Sequence, residues 1–231
     1  QMGRSHALAY HHNPGFEIIG MSNRSKVDLP PELAGYPMLP SFEAGLALKP
    51  DVVSINTYTD SHAALAVAAF ASGAHVFVEK PLAANMTDAR RVVQAAHQSG
   101  KKLIIGYILR HHPSWIEFIA LARELGPPFV MRMNLNQQSS GAAWDIHKRL
   151  MESTSPVVDC GVHYLDVMCQ ITDAKPVQVR GMGLRLSNEI APSQVNYGHL
   201  QVLFEDGSLG WYEAGWGPMI SETAFFVKDV I

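Results

Sequence analysis

The sequence has little cysteine, little net charge and no long apolar run, and each shortage excludes a class of protein. Two cysteines, Cys160 and Cys169, are too few for a disulfide scaffold, and their spacing does not match a zinc knuckle. A formal net charge of −3 leaves no basic excess, so we expect no nucleic-acid partner. No apolar run is long enough to span a bilayer, so we expect no membrane partner.

The residues that are present describe an ordinary globular chain. Hydrophobic residues make up 47% of the 231 residues and charged residues 17%, which is enough apolar material for a sizeable core and excludes disorder throughout. A cytoplasmic enzyme fits this composition, as do many other proteins. The chain opens at Gln1 without an initiator methionine and stops inside an apolar run, so we expect that both ends of a longer protein are missing here.

Strand-like apolar runs alternate with helical patterns through residue 107. The predicted strands are residues 16–22, 51–57, 75–79 and 102–107, and the predicted helices are residues 2–12, 41–48, 61–72 and 87–99, the last with Thr87 as N-cap. These strands are apolar along their whole length, which is typical of strands buried on both faces. The first half therefore predicts a doubly wound parallel sheet.

The pattern changes in the second half. Helices are predicted at residues 114–125 and 158–171, and strands at 129–137, 177–186, 195–204, 208–215 and 221–230. Asp206-Gly207 lies between two of these strands and is a strong hairpin signal. The predicted fold class is α/β, a Rossmann-type sheet over residues 1–112 followed by an α+β domain with a mainly antiparallel open sheet over residues 113–231.

The start of the first helix is a candidate phosphate site. Gly3, after Met2, fits the last glycine of a G-x-G-x-x-G turn, although an ordinary helix start is the simpler explanation of a lone glycine. About 20 residues later, where a ribose-binding acid is expected, the sequence has Asn23, followed by Arg24 and Ser25. Arginine and hydroxyl groups suit a 2′-phosphate, so the sequence favours NADP over NAD, with a solvated turn as the alternative.

Three short motifs carry the chemistry. They are Thr-Tyr-Thr-Asp-Ser-His at 57–62, Val-Glu-Lys-Pro-Leu at 78–82 and Asp-Cys-Gly-Val-His-Tyr-Leu-Asp at 159–166. In this order they resemble the glucose–fructose oxidoreductase/inositol dehydrogenase (Gfo/Idh/MocA) family of NAD(P)-dependent oxidoreductases, over essentially the whole chain. Members of that family carry a further leading strand with two more glycines, and more sheet at the C-terminus.

The resemblance implies a role for each matching residue. Lys80 lies by the nicotinamide and the reacting hydroxyl, Asp159 holds the substrate, and His163 is the general acid/base. Glu79 helps to fix the cofactor's ribose and Lys80. Together with the phosphate-end residues, the candidate cofactor-binding residues are Met2, Gly3, Asn23, Arg24, Ser25, Thr57, His62, Glu79 and Lys80.

The candidate substrate-binding residues come from the second half. Residues 107–113 resemble the family's Tyr-x-Arg-Arg-x-x-Pro stretch, with Leu109 where the first arginine is usual. Trp144, beside a small-residue run, is a further candidate, and His112 and His147 are candidates for the edge of the substrate site. The set is Tyr107, Arg110, Trp144, Asp159 and His163.

Elementary chemistry supports these roles independently. Asp159, His163 and Asp166 are spaced i, i+4 and i+7, so they share one helix face. Oxidation of an alcohol requires removal of the hydroxyl proton, and a histidine titrates near neutral pH and accepts it. The Lys80 ammonium stabilises developing alkoxide charge.

Each assignment has an alternative. Lys80 also fits an exposed turn, His163 a core histidine and Asp159 the N-cap of the following helix. Asp159, His163 and Asp166 also resemble a metal ligand set, but nothing else clusters with them in the sequence and we expect no metal.

The function predicted is an oxidoreductase that transfers a hydride between NAD(P) and a sugar, polyol or related small hydroxylated compound. A dinucleotide-dependent glycosidase of the same family and a dinucleotide-sensing regulator without turnover are the alternatives. Because family members commonly pair through the open face of the antiparallel sheet, we expect a homo-oligomer formed through that face.

Overall fold

The computed structural model describes residues 2–221 and 227–231, and the chain divides into two compact units. We call residues Gln1–Gly106 the N-terminal unit and residues Tyr107–Ile231 the C-terminal unit. The domain boundary expected between residues 112 and 113 stays a prediction. No helix within the described ranges combines the length and the apolar character needed to cross a membrane.

The N-terminal unit is built on a parallel sheet, as predicted. Its strands β3 (Val52–Ile55), β4 (His75–Val78) and β5 (Leu103–Ile105) lie side by side in that order. The helices of this unit are α1 (Met2–His12), α2 (Phe42–Ala47), α3 (Thr59–Ala71) and α4 (Met86–Ser99). Parallel strands end at the same edge, so the residues after β3, β4 and β5 gather along one side of the sheet.

The predicted strand at residues 16–22 is shorter in the structure. Only β1 (Met21–Ser22) is paired, in parallel with β2 (Met38–Leu39), which the sequence pattern did not predict. Pro37 and Pro40 flank β2, and because proline has no amide hydrogen to donate, the ladder stops after two residues.

Alanines dominate the core of the N-terminal unit. Ala66 and Ala69 on α3 are fully buried, and they share a core cluster with Val76 and Val78 of β4 and Val92 of α4. Small side chains let α3 lie close to its neighbours, and Phe70 at its C-terminal end adds one large buried side chain to the same cluster.

The helix α4 begins one residue before the predicted position. Its N-cap is Asn85, whose Oδ1 accepts the amide hydrogen of Asp88 at 2.9 Å. The expectation that Thr87 caps this helix is therefore wrong, because Asn85 has the extended backbone of an N-cap whereas Thr87 lies inside the first turn. Gly100, with φ of +65°, closes the other end in the left-handed conformation.

A five-stranded sheet forms the C-terminal unit. Its strands are β6 (Val130–Gln138), β7 (Pro176–Leu184), β8 (Tyr197–Phe204), β9 (Leu209–Gly217) and β10 (Lys228–Val230), in the order β10-β6-β9-β8-β7. All neighbours are antiparallel except β6 and β9. Gly207, with φ of +84°, makes the predicted hairpin between β8 and β9. Of the strand expected at 221–230, residues 222–226 lie outside the described residues and β10 is the described part.

Three helices accompany this sheet, namely α5 (Pro113–Glu124), α6 (Gly141–Leu150) and α7 (Pro156–Thr172). The sequence pattern did not predict α6, which begins at a glycine with φ of +53° and has no side-chain cap. The close approach of α7 to β9 depends on Gly161, because a Cβ there would lie 2.9 Å from the ring of Tyr212. The buried side chains of Trp216, Tyr212 and Phe204 make up much of the core beneath.

The cap of α4 makes a direct test. Asn85→Ala removes the acceptor for the Asp88 amide, so we expect it to lower the free energy of unfolding by about 1 kcal/mol. Thr87→Ala is the matched control and should change it by less than about 0.5 kcal/mol. Urea denaturation followed by circular dichroism measures both. Equal losses in the two variants would contradict the assignment of the cap.

Candidate functional site

The turn after β4 holds the predicted catalytic lysine. We call Glu79, Lys80 and Pro81 the Lys80 turn; the peptide bond between Lys80 and Pro81 is cis. The Glu79 amide donates to the carbonyl of Ile55 at 2.9 Å, which fixes the start of the turn to the end of β3. Lys80 therefore leaves the carboxyl edge of the parallel sheet, where ligands bind in open α/β sheets.

Glu79 is a buried carboxylate with two partners. Its residue is 6% exposed, and its Oε2 accepts the backbone amide hydrogen of Lys80 at 3.1 Å. Its Oε1 lies 2.7 Å from Nε2 of His6 on α1. Burial acts to raise the pKa of Glu79. The hydrogen bonds from His6 and from the Lys80 amide, and the charges of the His6 and Lys80 side chains, outweigh burial and bring the pKa below its usual value.

Gly106, the residue after β5, leaves room for this carboxylate. A Cβ at position 106 would lie 3.1 Å from Oε2 of Glu79, which is too close for most side chains. The amide of Gly106 donates to the carbonyl of Val78 at 2.9 Å, so the glycine is fixed beside the strand that carries Glu79. The sheet thus builds a small enclosure around one negative charge.

His62 holds the other end of the Lys80 turn. Its residue is 1% exposed, its Nδ1 lies 2.8 Å from the carbonyl oxygen of Pro81, and its Nε2 lies 3.1 Å from the carbonyl oxygen of Thr57. The imidazole thereby joins the loop after β3 to the turn after β4. Thr57 is exposed, and its hydroxyl accepts a hydrogen bond from Ser61 at 2.7 Å. The predicted residues Thr57, His62, Glu79 and Lys80 therefore lie along one edge of the sheet.

The residues at the start of α1 fit a dinucleotide phosphate. Met2 and Gly3 open the helix, and its first turn contains no acidic side chain, so its amide groups and the helix dipole favour an anion. A Cβ on Gly3 would lie 3.6 Å from Cβ of Asn56, so the helix begins close to the end of β3.

The candidate ribose-end residues form a separate exposed segment after β1. The side-chain amide of Asn23 donates to the carbonyl of Ser25 at 2.8 Å, and Arg24 between them is exposed. No acidic side chain of this segment opposes a 2′-phosphate.

The second group of candidates lies on α7. Ser155 is the N-cap of this helix and accepts the amide hydrogen of Val158 at 3.3 Å. The alternative that Asp159 is the N-cap is therefore wrong, and its carboxylate stands in the first turn, one helical turn from His163. Among the residues that the structure describes, no group of three or more His, Cys, Asp or Glu residues is arranged to hold a metal ion.

Arg110 binds a carboxylate of its own unit. Its Nε donates to Oδ2 of Asp166 at 2.8 Å and its Nη2 to Oδ1 at 2.5 Å, while Gln170 donates to the same carboxylate at 3.0 Å. The guanidinium lies 5.6 Å from the ring of Tyr107, and that ring meets His163 edge-on with centroids 6.4 Å apart. Burial, and then the charge of Asp166, raise the pKa of Tyr107, so its hydroxyl stays protonated. Tyr107, Arg110 and His163 are thus brought together.

An aromatic cluster near Asp159 was only partly foreseen. The ring of His147 stacks on Trp216 with centroids 4.4 Å apart, and its Nδ1 lies 2.9 Å from the hydroxyl of Ser139. The indole of Trp216 donates to Oε1 of Gln137 at 2.8 Å. Burial lowers the pKa of His147, and the charge of Asp159 opposes that effect. Sequence reasoning singled out only His147 of this pair, because its stacking partner Trp216 lies far along the chain on β9.

Trp144, the other predicted substrate residue, is 4% exposed and belongs to the core cluster of this unit. Its indole donates to Oε2 of Glu189 at 3.1 Å. This packing accounts for the residue structurally, and a role toward substrate stays a prediction.

Comparison with known proteins agrees with this geometry. Residues 1–107 match the family described as "Oxidoreductase family, NAD-binding Rossmann fold", GFO_IDH_MocA, and residues 119–222 match the "GFO/IDH/MocA C-terminal domain". The chain belongs to the GFO/IDH/MocA oxidoreductase family. The resemblance and the fold class expected from the sequence are confirmed, and the N-terminal unit is the NAD-binding Rossmann fold of this family.

Individual relatives act on sugars and polyols. The chain is 32% identical over 145 residues to the UDP-N-acetylglucosamine 3-dehydrogenase of Acidithiobacillus ferrooxidans, covering 63% of this chain and 43% of that protein. It is 29% identical over 121 residues to the inositol 2-dehydrogenase of Salmonella typhimurium, covering 51% of this chain and 34% of that protein. The chain thus spans less than half the length of these curated relatives.

Among solved structures, GenD2 from gentamicin A biosynthesis, determined in complex with NAD, superimposes with a TM-score of 0.82. The sequences are 22% identical, and the match covers 94% of this chain and 63% of GenD2. At this identity the comparison shows the fold.

The contribution of the ion pair between Arg110 and Asp166 to stability can be measured. Asp166 has a side chain 9% exposed, so a double-mutant cycle with Arg110→Ala and Asp166→Ala should give a coupling free energy of about 1 kcal/mol in urea denaturation. The control is the pair Arg132 and Asp229, which has the same two-point geometry but an Asp229 side chain 36% exposed. Its coupling should be smaller, because solvent screens the charges. Equal coupling, or none at Arg110, would overturn the structural role of this pair.

Proposed function

We propose that this protein is an NAD(P)-dependent dehydrogenase or reductase that acts on a hydroxyl group of a sugar, polyol or related compound. The observation that carries the proposal is the set of Lys80 at the carboxyl edge of the Rossmann sheet and Asp159 with His163 on one face of α7. A dinucleotide-sensing protein needs none of these three side chains. Their presence together favours turnover over sensing.

The proposed chemistry divides between the residues. A bound nicotinamide supplies the hydride acceptor or donor. The His163 imidazole takes the hydroxyl proton during oxidation and returns it during reduction. The Lys80 ammonium stabilises the developing charge on the substrate oxygen, and Asp159 holds the substrate through its hydroxyl groups.

For the cofactor, we propose a preference for NADP. Asn23 replaces the acidic residue that would repel a 2′-phosphate, and the exposed Arg24 and Ser25 offer the charge and the hydroxyl that bind one. GenD2 was determined with NAD, so a preference for NAD is the competing result.

For the substrate, we propose a cyclic polyhydroxylated compound, a sugar nucleotide or an inositol. The support is chemical and comparative. The named relatives are a UDP-N-acetylglucosamine dehydrogenase and an inositol dehydrogenase. The imidazole of His147, which stacks on Trp216 near Asp159, offers a flat face and a titratable nitrogen to the ring of a cyclic substrate.

We further propose that two copies of the chain associate through the open face of the five-stranded sheet. Three apolar side chains, Val130, Leu209 and Leu203, lie next to one another across β6, β9 and β8, and each is at least 37% exposed. Trp211, 41% exposed, follows on β9. A contiguous exposed apolar patch of this kind is typical of an interface. A cytoplasmic enzyme remains our prediction for its location.

Titration with NADPH and NADH tests the function. We expect energy transfer from tryptophan to the bound nicotinamide, with tighter binding of NADPH than of NADH. We also expect oxidation of at least one compound in a panel of inositols and sugar nucleotides. Lys80→Ala and His163→Ala should each lower kcat by about 10²- to 10⁴-fold while the dinucleotide still binds. His111→Ala, an exposed histidine, is the control and should keep full activity.

The possible failures point in different directions. Failure to bind either dinucleotide, in protein shown by absorbance to contain none, would overturn the oxidoreductase assignment. Binding with no turnover of any compound would favour the sensing alternative. Release of a sugar without net change in nicotinamide absorbance would identify the glycosidase.

Light scattering after size-exclusion chromatography tests the association. Trp211→Glu places a charge beside Leu209 in the exposed patch, so we expect the mass to fall to that of one chain with the fold retained. Leu121→Glu, an exposed apolar position on α5 of the same unit, is the matched control and should not change the mass. A wild-type mass of one chain, or an unchanged mass in Trp211→Glu, would contradict this interface.

A further inference from the structure

We propose that His6 is a positioning residue that holds the catalytic Lys80 turn in place through Glu79. Neither the family match nor the predicted roles use His6. The inference rests on the proposed function, since it assigns His6 a part in placing the lysine of that reaction. It concerns residues of the N-terminal unit only.

The contact is specific and enclosed. The Nε2 of His6 lies 2.7 Å from Oε1 of Glu79, with the two side chains 18% and 8% exposed. The imidazole also packs against Phe77 of β4, with ring centroids 4.9 Å apart. Its orientation is thus set by packing and does not depend on the hydrogen bond alone.

The two oxygens of Glu79 are used in different directions. Oε1 faces His6 on α1, whereas Oε2 accepts the backbone amide hydrogen of Lys80 at 3.1 Å. A displacement of the carboxylate therefore changes the position of the Lys80 backbone. Because a misplacement of about 1 Å at a reacting group costs about 10²-fold in rate, this contact matters to the chemistry.

The charge of Glu79 depends on the same contact. The groups that face the carboxylate are His6, Lys80 and the backbone of Gly106, and burial acts against ionisation. Without the His6 donor, the effect of burial on the pKa of Glu79 is opposed by the amide and the side-chain charge of Lys80. The pKa of Glu79 should then rise, and a protonated Glu79 is a weaker acceptor for the Lys80 amide.

The position of His6 in α1 adds a consequence. Gly3 and His6 are three residues apart, so the turn of α1 that fits a dinucleotide phosphate also carries the imidazole. Tyr10, one turn further, donates to the hydroxyl of Ser54 on β3 at 3.1 Å and anchors the same helix to the sheet. Binding at the helix start and placement of Lys80 are thereby connected through one rigid element.

The experiment compares His6→Phe with His6→Gln. The phenylalanine keeps a ring against Phe77 and lacks the donor, while the glutamine amide nitrogen occupies the place of Nε2 and restores a donor. A titration of the Glu79 carboxyl carbon by NMR, in cofactor-free protein, should show a pKa about one pH unit or more higher in His6→Phe. His6→Gln should lie between His6→Phe and wild type, because it restores the donor and not the charge of His6. His12→Ala, an exposed histidine on the same helix, should match wild type.

A second readout follows Lys80 itself. The rate at which an acylating reagent labels Lys80, measured by peptide mass spectrometry, should change at least threefold in His6→Phe and remain near wild type in His6→Gln. Glu79→Gln should change this rate in the same direction as His6→Phe, and it decides the question should His6→Phe fail to fold.

Two results would overturn the inference. One is a Glu79 pKa or a Lys80 labelling rate that does not respond to loss of the His6 donor. The other is a glutamine variant that shifts both readouts further from wild type than phenylalanine does, because the packing of the ring, and not the donor, would then be the main role. Neither readout needs turnover, so a wild-type protein that binds no dinucleotide would count against the proposed function alone.

Discussion

The N-terminal unit depends on one buried negative charge. Glu79 stands at the end of the middle strand, and every element that approaches it supplies either space or a donor. Gly106 leaves space because it has no side chain, the Lys80 backbone donates an amide hydrogen, and the His6 imidazole of α1 contacts the other carboxylate oxygen. A buried carboxylate that kept fewer of these partners would be protonated or would disrupt the fold. The sheet edge is therefore organised around this charge before any ligand is bound.

The C-terminal unit depends on a different constraint, which is the close packing of α7 against the sheet. The absence of a side chain at Gly161 lets α7 approach the fully buried Tyr212. Ser155 caps the N-terminus of the helix. Asp159 therefore does not cap the helix. Asp166, on the same face, is instead occupied by Arg110, which fixes the segment after the parallel sheet to α7.

The sequence predicts the long elements well and the short ones poorly, for physical reasons. Strands such as β4 and helices such as α7 have a periodicity that only one structure satisfies, and both were predicted within two residues. The two-residue pair of β1 and β2 depends on where prolines interrupt hydrogen bonding across a loop, which periodicity does not encode. The helix α6 was missed because Gly141 opens it and no side chain caps it, and its apolar spacing is the weaker signal that remained.

For the site, motif order identifies which residues belong to it but not what each one contacts. The roles of Lys80, Asp159 and His163 came from the resemblance of three ordered motifs to those of the family. The contacts of Arg110 with Asp166 and of His6 with Glu79 join residues 56 and 73 positions apart, and no local pattern carries such a pairing. Arg110 and His6 have the same chemistry in the sequence as any surface cation. Only the fold shows that each of them contacts a largely buried carboxylate far away in the sequence, and this is why the supporting residues of a site are harder to predict than its reacting ones.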